Sequence, residues 1–382
     1  MKKILIFFIL TVLMSLSPQM IHAQKMKEWL KDSTDNAVDI SGFLNSNVGF
    51  MPVPIVITEP AVGFGGGMGA VFFHNKKNFA KSRTKGQLPP VMTMVAGAYT
   101  SNGSWLGMLG HQGSYFKDRF RYTGALGYMS FNLTSYGTGI FGRERSFNFN
   151  MKGFLTFHEM AIRPVRKLPL FVGLNYLYFN NQLSLKTGIN IPGWEEIKAS
   201  SNIGGMNVLF MWDTRDNMFT PNSGVMTAWE FGLFDKALGG DNNYWNFSNR
   251  TYGYVPFVEN KLIGGFRANL LAKWGDNVPF YELPFITMRG IPAMRYQDHY
   301  VGVGETEFRW AVYRRWSLIG FAGVGYTAPE IKHFNNSEGR VAGGGGFRYF
   351  IAKDYNIHGG IDVAKGPEQW AWYLTIGSNW FR

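Results

Sequence analysis

The chain has no cysteine, which excludes a lipid-modified N-terminus. It is short of charge: Asp, Glu, Lys and Arg make up 17%, against roughly 25% in a soluble protein. A long hydrophobic run is missing too. The apolar stretch from Ile4 to about Met14 is too short to cross a bilayer as a helix, and nothing later reaches about 18 residues. No His or acid spacing suits a metal, and the scattered His111, His158, His299, His333 and His358 have no Ser and acid partner that would make a hydrolase. The glycines from Gly63 to Gly69 are not followed by a strand-turn-helix pattern, so they form no phosphate loop. The net charge of +12 is spread along the chain, which speaks against nucleic acid.

What is present is aromatic residue (16%) and glycine (47 residues) in a chain that starts like an exported one. Met1-Lys2-Lys3, a short apolar core and the small-residue site at Ala23 predict a signal peptide over 1-23. A short periplasmic segment is then expected over 24-51, with one helix near Met26 to Lys31, and a barrel over 52-382.

Period-two patterning carries the fold reading. Leu262, Phe266, Ala268, Leu270, Ala272 and Trp274 share one face, opposite Lys261, Arg267, Asn269 and Lys273. Phe308, Trp310 and Val312 oppose Glu305, Glu307 and Arg309. Tyr355, Ile357, Ile361 and Val363 oppose Asp362, and Trp370, Trp372, Leu374, Ile376 and Trp380 form one face of the last strand. A soluble sandwich would alternate as well, but tryptophan and tyrosine gather near strand ends as a headgroup girdle requires. We count about 16 strands, with short turns at the end that carries both termini and long connections at 134-145, 183-200, 236-242, 275-299 and 328-337. The fold expected is all-β, a 16-stranded antiparallel transmembrane barrel.

Three segments carry a resemblance. Met288-Arg289-Gly290-Ile291 falls between the eleventh and twelfth strands. Asp213-Thr214-Arg215-Asp216-Asn217 runs on to Phe219-x-Pro221-x-x-Gly224 before the ninth. Pro52 to Pro60 followed by Gly63-x-Gly65 opens the barrel. In this order they resemble the BamA-like outer-membrane superfamily, the bacterial surface antigen barrels, in a branch without POTRA domains.

The resemblance implies that the sixth outer loop folds into the lumen and that Arg289 pairs there with acids on later strands. Glu307 stands where one partner is expected, beside Glu305. The strand where the second belongs reads Phe321-Ala322-Gly323-Val324-Gly325 without an acid, and Asp362 is the substitute.

On the residues alone, Asp213, Arg215, Asp216, Pro221 and Gly224 form a turn-stabilising cluster on the periplasmic side. Trp380-Phe381 is close to the terminal aromatic signal of barrel assembly, with Arg382 added. Lys76, Lys77, Lys81, Arg83 and Lys85 make one long basic turn, a solvated charge run or a contact for anionic headgroups.

No chemistry and no cofactor is expected. The expected partners are outer-membrane lipids and a periplasmic or outer-membrane protein, which includes a second copy of the chain. The function expected is a role in outer-membrane biogenesis; a partly occluded transport pore and a scaffold barrel are the rivals.

Overall fold

The computed structural model describes residues 30–45, 50–59, 61–74, 89–138, 144–186, 196–275 and 278–380. Sixteen strands follow one another in chain order in a single sheet. They are β1 (Phe50–Ile57), β2 (Gly65–His74), β3 (Val91–Thr100), β4 (Trp105–Tyr115), β5 (Phe120–Thr138), β6 (Glu144–Ile162), β7 (Leu170–Lys186) and β8 (Glu196–Asp213). Then come β9 (Gly224–Phe234), β10 (Tyr244–Val258), β11 (Leu262–Trp274), β12 (Tyr300–Tyr313), β13 (Trp316–Ala328), β14 (Arg340–Ala352), β15 (Ile357–Lys365) and β16 (Trp370–Ile376). Each pairs antiparallel with the next, giving a nearly closed barrel, almost wholly β. No ladder joins β1 to β16 among the described residues. There Thr58 donates its hydroxyl to the Trp372 carbonyl, and the rings of Phe64 and Trp372 lie 6.3 Å apart.

The alternation read from the sequence sorts side chains between the walls. Phe266 and Leu270 on β11, Phe308, Trp310 and Val312 on β12, and Val363 on β15 are exposed, as a lipid-facing surface is. Arg267, Asn269, Glu305 and Asp362 alternate with them and are buried on the inner face. The expected long loops at 134-145 and 183-200 are shorter, because β5 pairs with β6 up to Thr138 and Glu144, and β7 with β8 up to Lys186 and Glu196. Where a sheet runs on into water it needs no apolar face, so the signal that marks a membrane strand stops before the strand does.

Two expectations about the ends are corrected. The last strand stops at Ile376. At Gly377 the chain takes a φ of +80°, and Trp380 turns inward, 4% exposed, against Tyr252 and Tyr254 of β10. Trp380 is therefore not on the lipid face with Trp370 and Trp372. Tyr355 and Ile357 are not on that face either: both are buried with Leu44, Met51, Val71 and Phe73.

That cluster is closed by the N-terminal segment, which adds Leu44 with Ile40 and Phe43 beside it. Its helix, α1, is Ser41–Asn45, while most of the stretch expected to be helical near Met26 to Lys31 lies outside the described residues. So do the basic turn from Lys76 to Lys85 and Phe381.

Candidate functional site

The connection between β11 and β12 brings Arg289 against the inner wall. Its side chain is 3% exposed and meets acids from two strands. Nε and Nη2 donate to Glu305 Oε1 at 3.0 and 2.6 Å, and Nη1 lies 2.8 Å from both Glu307 Oε2 and Asp362 Oδ2. The three acids proposed from the sequence are thus gathered on one guanidinium, with Asp362 fully buried. The Phe321 ring lies under it, 3.4 Å from Cζ to the centroid. The strand without an acid therefore contributes a π face instead, a contact that favours a planar guanidinium.

The neighbouring motif residues fix the backbone. Gly290 has a φ of +91°, and a Cβ there would stand 2.8 Å from the Gly366 nitrogen, so only glycine fits without strain. Its N–H donates to the Tyr373 hydroxyl at 2.9 Å, tying the loop to β16. Met288 and Ile291 are buried with Ile286, Val301, Val303 and Ala342.

The acids are held in turn. Arg348 makes a two-pronged pair with Asp362 at 2.6 and 2.8 Å, and Asn379 of the C-terminal segment also donates to it. Arg267 donates to the Thr287 carbonyl and lies 3.7 Å from Glu305. Glu59, just beyond β1, accepts the Ala293 N–H at 2.8 Å. One loop is therefore gripped from β11, β12, β15, β16 and the segment after β1. A cavity of about 360 Å³ remains beside it, with Arg250, Asn269 and Trp380 in its wall.

The second motif does more than stabilise a turn. Asp216 accepts the N–H groups of Asn222 and Ser223, and Asn217 those of Phe219 and Thr220, which is the local role expected. Asp213 accepts from Arg215 and from Arg121 on β5, at 2.9 and 2.8 Å. But the connection also reaches the opposite wall. Asn217 donates to the Tyr355 carbonyl at 3.2 Å, Asn356 to that of Thr220 at 2.7 Å, and the Ser378 N–H to that of Phe219 at 2.6 Å. Arg309 of β12 donates to the buried Pro221 carbonyl at 3.2 Å. Since β8 and β9 lie half a ring away from β16, this connection crosses the mouth that carries the termini. Gly224, at a φ of +96°, returns the chain to β9.

A third group was not read from the sequence. Arg315, between β12 and β13, holds Asp32, Asp35 and Asp39 of the N-terminal segment, each at 2.7 Å. Lys353 adds a contact to Asp32 at 3.0 Å. Tyr355 donates to Asn45 at 2.9 Å, which completes the docking of α1 under the turn between β14 and β15.

Residues 172–286 match the model of the Omp85 superfamily domain. Among solved structures, the barrel is similar to BamA from Haemophilus ducreyi lacking POTRA domains 1-3, at 13% identity and a TM-score of 0.53, over 85% of this chain and 69% of that one. It is similar to CdiB from Escherichia coli at 9% identity and a TM-score of 0.56, over 85% of this chain and 61% of that one. CdiB from Acinetobacter baumannii is alike at 8% identity and a TM-score of 0.56, over 86% and 59%. The chain spans about three-fifths of the length of either CdiB. A search of curated protein sequences finds no match. The strand order, the outer apolar face and these likenesses agree: the chain folds as a 16-stranded antiparallel β-barrel like those of BamA and CdiB, and its residues 172–286 match the Omp85 superfamily domain.

Proposed function

We propose that the barrel assists outer-membrane biogenesis, helping other proteins or lipids into or across the membrane by distorting the bilayer at the β1–β16 seam. The observation that carries this reading is the missing ladder. Fifteen neighbouring pairs are laced by backbone hydrogen bonds, and the pair that would close the ring is not, among the described residues. Unpaired backbone groups are costly in hydrocarbon, so a seam of this kind perturbs the lipid beside it. Short flanking strands add to this, with eight residues in β1 and seven in β16.

In this reading the Arg289 loop is an internal anchor that keeps the wall next to the seam in shape while the seam works. The same anchor, the connection across the terminal mouth and the inward Trp380 obstruct the lumen, which favours a seam machine over an open pore. A periplasmic or outer-membrane protein is the expected partner for client delivery.

The test is a reversible lock. Thr58→Cys with Trp372→Cys places two thiols across the seam where the side chain of one residue already meets the backbone of the other. In cells depleted of wild-type protein, the oxidised lock is expected to lower the amounts of other outer-membrane proteins or shift lipid composition, and reduction should restore them. An unchanged membrane under both depletion and locking would sink the biogenesis reading.

A further inference from the structure

Inside the terminal mouth, positive charge gathers without an acid to meet it. A cavity of about 200 Å³ lies there, between the connection that crosses the mouth and the wall from β11 to β15. Its wall comes from paired residues on neighbouring strands: Ile263 with Arg309, Ala311 with Ser317, and Phe350 with His358. Ile263, Ser317 and His358 are buried, while Asn260, Lys261 and Arg314 stand exposed on two short turns. The cavity is thus closed at the wall, and the way in runs beside those turns.

Lys261, Arg309 and Arg314 line this space from three separate segments, and no Asp or Glu among the described residues lines it. Arg309 donates to the Pro221 carbonyl and to the Asn222 side-chain oxygen, and forms no ion pair among the described residues. The other inner-wall arginines nearby are matched: Arg267 and Arg289 by Glu305, and Arg348 by Asp362. Acids close to Arg309 are held elsewhere. Glu307, two residues along the strand, pairs with Arg289, and Asp216 accepts the N–H groups of Asn222 and Ser223. Arg315 also lines the cavity, but its nitrogens are taken by Asp32, Asp35, Asp39 and two carbonyls. A charge drawn out of water is costly unless the opposite sign meets it. The opposite sign is what a bound anion supplies.

The charges favour phosphate over carboxylate. A carboxylate presents two oxygens in one plane, which a single guanidinium fork saturates. A phosphate ester presents three oxygens and up to two charges, enough for an arginine fork and two cations arriving from separate turns. A space of about 200 Å³ holds several waters, so it admits a phosphate with a short stem and excludes a folded partner. Ile263 and the Phe350 ring, stacked on His358 at 4.5 Å, give such a stem an apolar wall.

We propose that this cavity binds the phosphate group of a phosphate ester, with Arg309 at its inner end and Lys261 and Arg314 at its rim. A soluble ester and the headgroup of an anionic phospholipid carry this group alike, and the exposed turns stand where headgroups ring the barrel. The site does not depend on how the seam acts.

The full-length protein in detergent, in phosphate-free buffer of fixed ionic strength, is titrated calorimetrically with glycerol phosphate, and with acetate as the carboxylate control. Glycerol phosphate is expected to bind once per barrel, about tenfold more tightly than acetate. Arg309→Gln should weaken it about tenfold or more, as expected for losing a charge-assisted hydrogen bond. Because Arg309 also ties down Pro221 and Asn222, Lys261→Gln and Arg314→Gln test the site independently. Both residues are exposed and form no ion pair among the described residues, and each change should weaken binding about threefold. Heat-modifiable mobility on a gel reports folding of each variant. Native mass spectrometry from micelles holding phosphatidylglycerol separates the sources. One lipid retained by wild type and lost when Lys261→Gln and Arg314→Gln are combined assigns the headgroup; binding of glycerol phosphate alone assigns a soluble ester. Binding of neither probe overturns the site, as does equal binding by wild type and all folded variants. Equal affinity for acetate overturns the phosphate assignment. Loss in Arg309→Gln with both rim variants unchanged overturns the three-cation cavity.

Discussion

Two arginines in this barrel hold three carboxylates each, yet they sit in different surroundings. Arg289 is buried against the inner wall with Glu305, Glu307 and Asp362, all on barrel strands. Arg315 lies at the terminal mouth with Asp32, Asp35 and Asp39, all on the N-terminal segment, and Asp35 is 38% exposed. In the first, the rigid wall supplies the acids and a loop supplies the cation. In the second, the wall supplies the cation and a tethered segment supplies the acids. The chemistry is shared, but removing the cation has different consequences. A buried carboxylate that loses its cation stays fixed in the wall, whereas a segment at the mouth can leave with its charges.

The largest effect is therefore expected at the lumen. Arg289→Ala takes from Glu307 its ion pair and leaves Glu305 and Asp362 to Arg267 and Arg348, and breaking a buried pair costs about 3–5 kcal/mol. Urea unfolding followed by heat-modifiable mobility should show a clearly lowered midpoint, with the 278–299 connection newly open to protease. Arg289→Lys should fall between, since an ammonium cannot make the forked contacts or lie flat on Phe321. If Arg289→Ala unfolds at the wild-type midpoint, the clamp does not hold the barrel together.

Phe321→Leu sharpens the same side of the comparison. It keeps an apolar side chain and removes the π face under the guanidinium, so about 1–2 kcal/mol is expected, from a desolvated cation–π contact. The loss should vanish in an Arg289→Ala background, because the two residues act on each other. A Phe321→Leu effect that persists there would show that the ring matters for packing alone.

How much of this was legible follows from what periodicity and motif can carry. Alternation located the strands and put Glu305, Glu307, Arg309 and Asp362 on the inner face correctly, because a wall between lipid and lumen imposes period two. Alternation also misled at the end. Trp380 is in phase with Trp370 and Trp372, but the positive φ at Gly377 breaks the strand, and phase means nothing past a break. Phe321 was passed over because an acid was sought where a ring serves. The expected turn cluster at Asp213 to Gly224 is present, but its reach to Tyr355 and Ser378 depends on ring closure, which no local pattern encodes. Asp32, Asp35 and Asp39 did leave a trace: three acids spaced three and four apart in a basic chain, with no basic residue between them.

At the terminal mouth the barrel itself should hardly respond. Arg315→Ala removes contacts at the water boundary and is expected to cost about 1 kcal/mol or less of barrel stability, while freeing residues 30–45 for proteolysis. Wild-type resistance of that segment in Arg315→Ala would assign its docking to Leu44 and the apolar cluster around it.

Acid should separate the two sites without any substitution. Hydrogen bonds from the Thr34 backbone and hydroxyl, then from Lys353, hold Asp32 below the ordinary carboxylate value of 3.8. The hydrogen bond from Arg315 does the same for Asp35. A carboxyl whose folded pKa is depressed adds stability that is fully present above its unfolded value and is lost as pH falls through the folded one. Docking of the segment should thus be complete above about pH 4, near that unfolded value, and weaken progressively below it. The barrel strands stay paired meanwhile, as they are held by backbone ladders that do not titrate. Hydrogen exchange measured between pH 5 and pH 2.5, corrected for the intrinsic rate, should show residues 30–45 losing protection while β11 and β12 keep theirs. If both regions lost protection together, the segment and the wall would form one cooperative unit, and the contrast between the two arginines would be one of position only.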